Sequence, residues 1–89
     1  MHRFRVEDKL EEILFKLSKK DSLTHERVMK KIKEIINSYD IESYKNLKYG
    51  MKDYKRIHVG HFVLIFRFDK ENNLVVFEDF DHHDKIYEK

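Results

Sequence analysis

Two hydrophobic periods take turns along the chain, and their order predicts its elements. From His2 to Val6 the residues alternate, with Phe4 and Val6 on one side, which predicts a short strand. Leu10, Ile13, Leu14 and Leu17 then follow the i, i+3, i+4, i+7 spacing of an amphipathic helix. Glu7 and Asp8 stand at its start and Lys16, Lys19 and Lys20 near its end, the polarity that the helix dipole favours. Lys20-Asp21-Ser22 breaks the pattern, and Asp21 or Ser22 can cap a second helix. That helix carries Val28, Ile32, Ile35, Ile36 and Tyr39 on its inner stripe, with Lys30, Lys33 and Glu34 outside. No proline interrupts either helix, so the pair reads as a helical hairpin.

Residues 40–53 show no clean period. Leu47 is expected to anchor them in the core, with Lys45, Lys48 and Lys52 exposed and Tyr44 and Tyr49 on the surface. Period two returns between Tyr54 and Phe68, as two strands joined by a tight turn at Val59-Gly60-His61. Ile57 and Val59 fall on one face of the first strand, Arg56 and His58 on the other. In the second strand Phe62, Leu64, Phe66 and Phe68 oppose Val63, Ile65 and Arg67. Lys70-Glu71-Asn72-Asn73 is a turn, Leu74 to Phe80 a last strand, and residues 81–87 a tail. The order predicts an α+β fold in one domain, residues 1–89. A short N-terminal strand and a helical hairpin precede a three-stranded antiparallel meander, and the helices cover one sheet face. The opposite face, to which Arg56 and His58 point, is expected to stay open.

Composition narrows the class. The chain has 89 residues, 40% of them apolar, enough for one modest core. It has no cysteine, which excludes disulfides and thiolate metal sites. No segment reads as a signal peptide or a membrane span, so a soluble cytoplasmic protein without membrane association is expected. Net charge is only +2 but is unevenly placed. Residues 44–67 carry six bases against one acid, whereas residues 69–89 carry seven acids against three bases. The basic middle suits a polyanion, unless the acidic segment lies beside it and neutralises it.

Several residues then stand out together: the Leu47-Lys48 lead-in, the run Arg56-Ile57-His58-Val59-Gly60-His61-Phe62, and the ending His-x-x-x-Ile-Tyr. With the order of elements, these resemble the RelE/ParE superfamily of toxins from toxin–antitoxin systems, most of all its RelE and YafQ branches. That resemblance implies a fold like RelE and a ribosome-dependent mRNA endonuclease acting in the ribosomal A site. It also implies a RelB-like antitoxin that binds the toxin as a hetero-oligomer. By position, Arg56 and His58 match basic residues of the first hairpin strand. His61 and Phe62 match an acid and an aromatic of YafQ-type toxins. His82 or His83 matches a late basic or histidine residue, and Tyr87 the terminal aromatic. Val63 stands where many members have a phosphate-holding arginine, which leaves that work to Arg67, Arg56 or Lys55, or else implies a ParE-like or degenerate toxin that binds a target such as DNA gyrase without cutting.

RNA can be cut without a cofactor or metal, by attack of its own 2′-OH on the adjacent phosphate. The protein must move two protons and steady the phosphate charge. Histidine, with an ordinary pKa of about 6.5, fits both proton roles. The expected catalytic residues are therefore His58, one of His82 and His83 (His83 foremost), Arg56 and Tyr87. Lys52, Lys55, His61, Arg67 and Lys85 are expected to bind RNA. Alternation sends only one of the adjacent His82 and His83 to the site. Asp81-His82-His83-Asp84 also contains metal-ligand types, but neighbouring side chains diverge in a strand and no other ligand set is visible.

Overall fold

The helices form where the apolar stripes and caps put them. The computed structural model describes residues 1–46 and 54–88. Strand β1 spans Arg3–Val6, helix α1 Asp8–Lys20 and helix α2 Ser22–Ile36. Of the two candidate caps Asp21 is the one used: its carboxylate accepts from the Thr24 N–H at 3.1 Å and from Thr24 Oγ1 at 2.6 Å. These bonds hold the Asp21 carboxyl below the usual carboxylate range. The far end of α2 stops at Ile36, where Asn37 Nδ2 donates back to the Lys33 carbonyl. Tyr39 therefore leaves the helical stripe and is fully exposed rather than part of the inner face. A single 3₁₀ turn follows over Ile41–Ser43. Leu47, Lys48, Tyr49 and Lys52 lie outside the described residues, whereas Tyr44 packs edge-on against Phe66, with ring centroids 5.5 Å apart.

The sheet has four strands in the order β1-β4-β3-β2, where β2 is Lys55–Val59, β3 Phe62–Asp69 and β4 Leu74–His82. Strands β2, β3 and β4 are the antiparallel meander, and β1 lies parallel to β4. Gly60 and His61 form the two-residue β2–β3 turn; Gly60 has φ +62, the left-handed value that a turn with glycine first requires. Both long helices pack on one face, where Leu10, Leu14, Val28, Ile32 and Ile35 meet Leu64, Phe66, Val75, Phe77 and Phe80. None of the described helices is long and apolar enough to cross a membrane.

One irregularity sets the geometry of the sheet's end. The β3–β4 register pairs Ile65 with Asp79 but Phe66 with Phe77, so Glu78 is an extra residue in β4. Side chains alternate along a strand, so without this bulge Phe80 would fall on the opposite face from Phe77. With it both Phe77 and Phe80 reach the helices.

The second face is not open. Val63 and Ile65 point there and are almost fully buried. The segment read only as a tail forms a short helix α3 over His83–Glu88, and its Ile86 packs on Val63 and Ile65, with Tyr54 alongside. The physical reason lies in β3 itself: it is apolar on both faces, and exposed Val63 and Ile65 would cost roughly 1.5–3 kcal/mol each relative to burial. Replacing Ile86 with Ala is expected to lower the unfolding free energy by about 2 kcal/mol, read as a lower urea midpoint at unchanged slope. Phe15→Ala, at a side chain 62% exposed on α1, should leave the midpoint almost unmoved.

Candidate active site

The bulge also separates the two neighbouring histidines. His82 pairs with Phe62 across β3–β4 and, by the same alternation as Phe80, turns toward the helix side, where its ring meets Phe62 at 4.7 Å. His83 is the first residue of α3 and swings to the other face. Its N–H donates to the His61 carbonyl at 2.9 Å, which ties the start of α3 to the β2–β3 turn. There its ring stacks on that of His58, centroids 5.4 Å apart and planes 26° from parallel. Asp84 approaches His83 Nδ1 at 3.6 Å.

Arg56 lies two residues before His58 on β2 and so shares its face. Its Nε is buried and has no hydrogen-bond partner among the described residues. The His58 imidazole is pushed below its ordinary pKa, first by burial, then by the positive charge of Arg56 and by His83. These effects favour the neutral ring, which can accept a proton. A concavity of about 300 Å³ opens beside it, lined by His58, Gly60, His61, His82, His83 and Asp84. Four of the six histidines of the chain thus meet at one end of the sheet.

The other expected site residues are dispersed. Lys55 faces the helix side, where its Nζ donates to the carbonyls of Glu42 and Tyr44 and to Asn46 Oδ1, at 3.0–3.2 Å. It clamps the 3₁₀ turn to β2 instead of joining the histidines. Arg67 lies on the histidine face but four residues beyond Val63, the cross-strand partner of His58, or roughly 13 Å along the strand. Its Nε donates to Glu78 at 2.8 Å, an ion pair that raises its pKa further. Lys85 is exposed on α3. Lys52 and the Tyr87 side chain lie outside the described residues. Val63 is wholly buried beneath Ile86, so its position is a packing position here. Among the described residues no three of His, Asp or Glu gather as a metal-ligating group.

One cation near the site has no signal in the local sequence. Arg27 of α2 reaches over the β2–β3 turn, its Nη1 3.9 Å from where a Cβ on Gly60 would stand. Nothing in helical periodicity marks Arg27, because the approach depends on how α2 crosses the turn.

The profile of the ParE toxin of type II toxin–antitoxin systems, parDE, matches residues 4–87. A protein of Methanocaldococcus jannaschii named "Putative toxin RelE4" is 42% identical over 90 residues, covering 100% of this chain and 94% of its own. Among solved structures, the isolated Escherichia coli RelE toxin superposes with a TM-score of 0.76 at 21% identity, covering 99% of this chain and 93% of that one. The YoeB–YefM complex of Staphylococcus aureus gives 0.73 at 14% identity, covering 93% and 98%. At those identities the two structures speak for the fold alone, which is the RelE-like α+β arrangement. The match over residues 4–87 and the relationship at 42% identity speak for descent: the chain belongs to the ParE toxin family of type II toxin–antitoxin systems, within the RelE/ParE superfamily.

Proposed function

We propose that the protein is a ribosome-dependent mRNA endonuclease, held inactive in the cytoplasm by a RelB-like antitoxin that covers its histidine cluster. The observation that carries this reading is the stacked His58–His83 pair beside Arg56. In the proposed reaction the RNA 2′-OH attacks the adjacent phosphorus. The P–O2′ bond forms and the P–O5′ bond breaks, leaving a 2′,3′-cyclic phosphate and a free 5′-OH. His58, whose pKa is lowered by partial desolvation and by the nearby Arg56, takes the 2′-OH proton. His83 gives a proton to the departing O5′. Arg56, whose Nε has no partner of its own, meets the charge that grows on the phosphate. The antitoxin is supported by the YoeB–YefM structure, in which a toxin of this fold is bound to its antitoxin.

A second reading is favoured by one specific feature. The position at which RelE-type toxins resemble one another in carrying an arginine is here the buried Val63, capped by Ile86. A toxin that binds its target without cutting, in the manner of ParE, needs no such arginine. Primer extension on a reporter mRNA after induced expression separates the two. Codon-phased cuts support the nuclease, whereas a DNA-damage response without cuts supports the binding toxin.

For the nuclease, His58→Ala and His83→Ala are each expected to slow cleavage of ribosome-bound mRNA by about 10²–10⁴-fold, measured in single-turnover assays. Undiminished cutting by the double variant would remove the mechanism. The pH dependence has a definite sign. Burial and Arg56 disfavour charged His58, so the acidic limb of the rate profile should have its midpoint below the ordinary histidine value. Arg56→Gln removes one opposing charge and should move that midpoint up, in the rate and in an NMR titration of the His58 ring alike. The same group should weaken folding as pH falls below about 6.5, since the unfolded chain takes up this proton first; His58→Gln should flatten that part of a urea-midpoint profile.

A further inference from the structure

A second recess adjoins the histidines on the helix side. It measures about 610 Å³ and lies where the end of α1 passes over the starts and ends of the central strands. Ile13 and Leu17 form one wall, Phe62 and Phe80 the other. Phe62 stacks on Phe80, centroids 5.0 Å apart and planes 14° from parallel, and also meets His82. His82 also lines the concavity of His58 and His83. One aromatic series, Phe80–Phe62–His82, therefore connects this groove with the histidine cluster.

The charged lining of the groove is Lys16 and Lys20 together with Asp21 and Asp81. Lys20, at the end of α1, makes no hydrogen bond or ion pair among the described residues, while Arg27 stands over the adjoining turn, near enough to Asp21 that its charge helps to lower that carboxyl's pKa. Lys16 pairs with Glu12, in an exposed contact at 3.2 Å that contributes little. The carboxylates nearby are partly engaged: both oxygens of Asp21 accept from Thr24, and one of Asp81 from the His82 N–H. An apolar slot beside aromatic rings, continuous with the cluster and with Lys16, Lys20 and Arg27 at its edge, suits a base and its phosphate.

We propose that this groove takes the nucleotide next to the one being cut. Its base inserts between Ile13 and Leu17 on one side and Phe62 and Phe80 on the other, and its phosphate rests on Lys20 and Arg27. The proposal rests on the nuclease reading and assigns it a second nucleotide subsite on the helix side of the sheet.

Two measurements test it separately from catalysis. A 2′-deoxy trinucleotide lacks the attacking hydroxyl and so binds without being cut. In NMR titrations of the full chain it should shift the Ile13 and Leu17 methyl signals together with the His58 and His83 rings. Shifts confined to the histidines, or none, overturn the groove. The double variant Lys20→Glu/Arg27→Glu, checked for an unchanged circular dichroism spectrum, should need about tenfold more substrate for half-maximal cleavage. Its maximal rate and pH profile should be those of the parent. An unchanged half-saturation point overturns the proposal, and so does unchanged cleavage with lost antitoxin binding, which would make the groove an antitoxin seat. A parent that cuts no mRNA removes the nuclease reading but not the groove, which the trinucleotide shifts then decide alone.

Discussion

Strand β3 is apolar on both faces, and this single constraint governs the arrangement around it. Leu64 and Phe66 must be covered on one side, Val63 and Ile65 on the other. The helical hairpin supplies the first cover. The C-terminal segment supplies the second by folding into α3 and setting Ile86 on the strand, with Tyr54 alongside. Burial of an aliphatic pair thereby fixes where the chain turns after β4. The residue at that turn is His83. The meeting of His83 with His58 is a consequence of a packing requirement beside both rings: Ile86 lies three residues after His83, and Val63 pairs across the sheet with His58.

The bulge at Glu78 acts in the same direction. By adding one residue to β4 it lets Phe77 and Phe80 share the helix face, and it carries His82 with them. The adjacent histidines then serve different surfaces: His83 faces His58, while His82 continues the aromatic series into the groove under α1. The extra residue is not idle, since Glu78 also holds Arg67. Arg67 is engaged there, well along the strand from the cluster, and Arg56 is the cation beside His58 among the described residues.

Much of the fold was legible in the order of residues because the signals are local. The spacing of Leu10, Ile13, Leu14 and Leu17, the cap at Asp21, and the glycine of the β2–β3 turn each act within a few residues. The two faces of β2 could be assigned from alternation, which placed Arg56 and His58 together. Alternation failed for the tail, since a bulge is invisible to a pattern that assumes strict period two. Lys55 misled for a different reason: a lysine in a basic stretch looks free until its ammonium is seen to be shared by three oxygens of the preceding turn.

The amino-acid sequence by itself determined the two long helices, the strands of the meander, the helix-covered face and the family, because these follow from residue type and short-range spacing. The tertiary structure alone decided that the second face is closed by α3, that His83 rather than His82 meets His58, and that Arg27 stands over Gly60. Each of these depends on contacts between segments distant in the chain. Such contacts are chosen by the shape that buries the most apolar surface, and no local pattern records that choice.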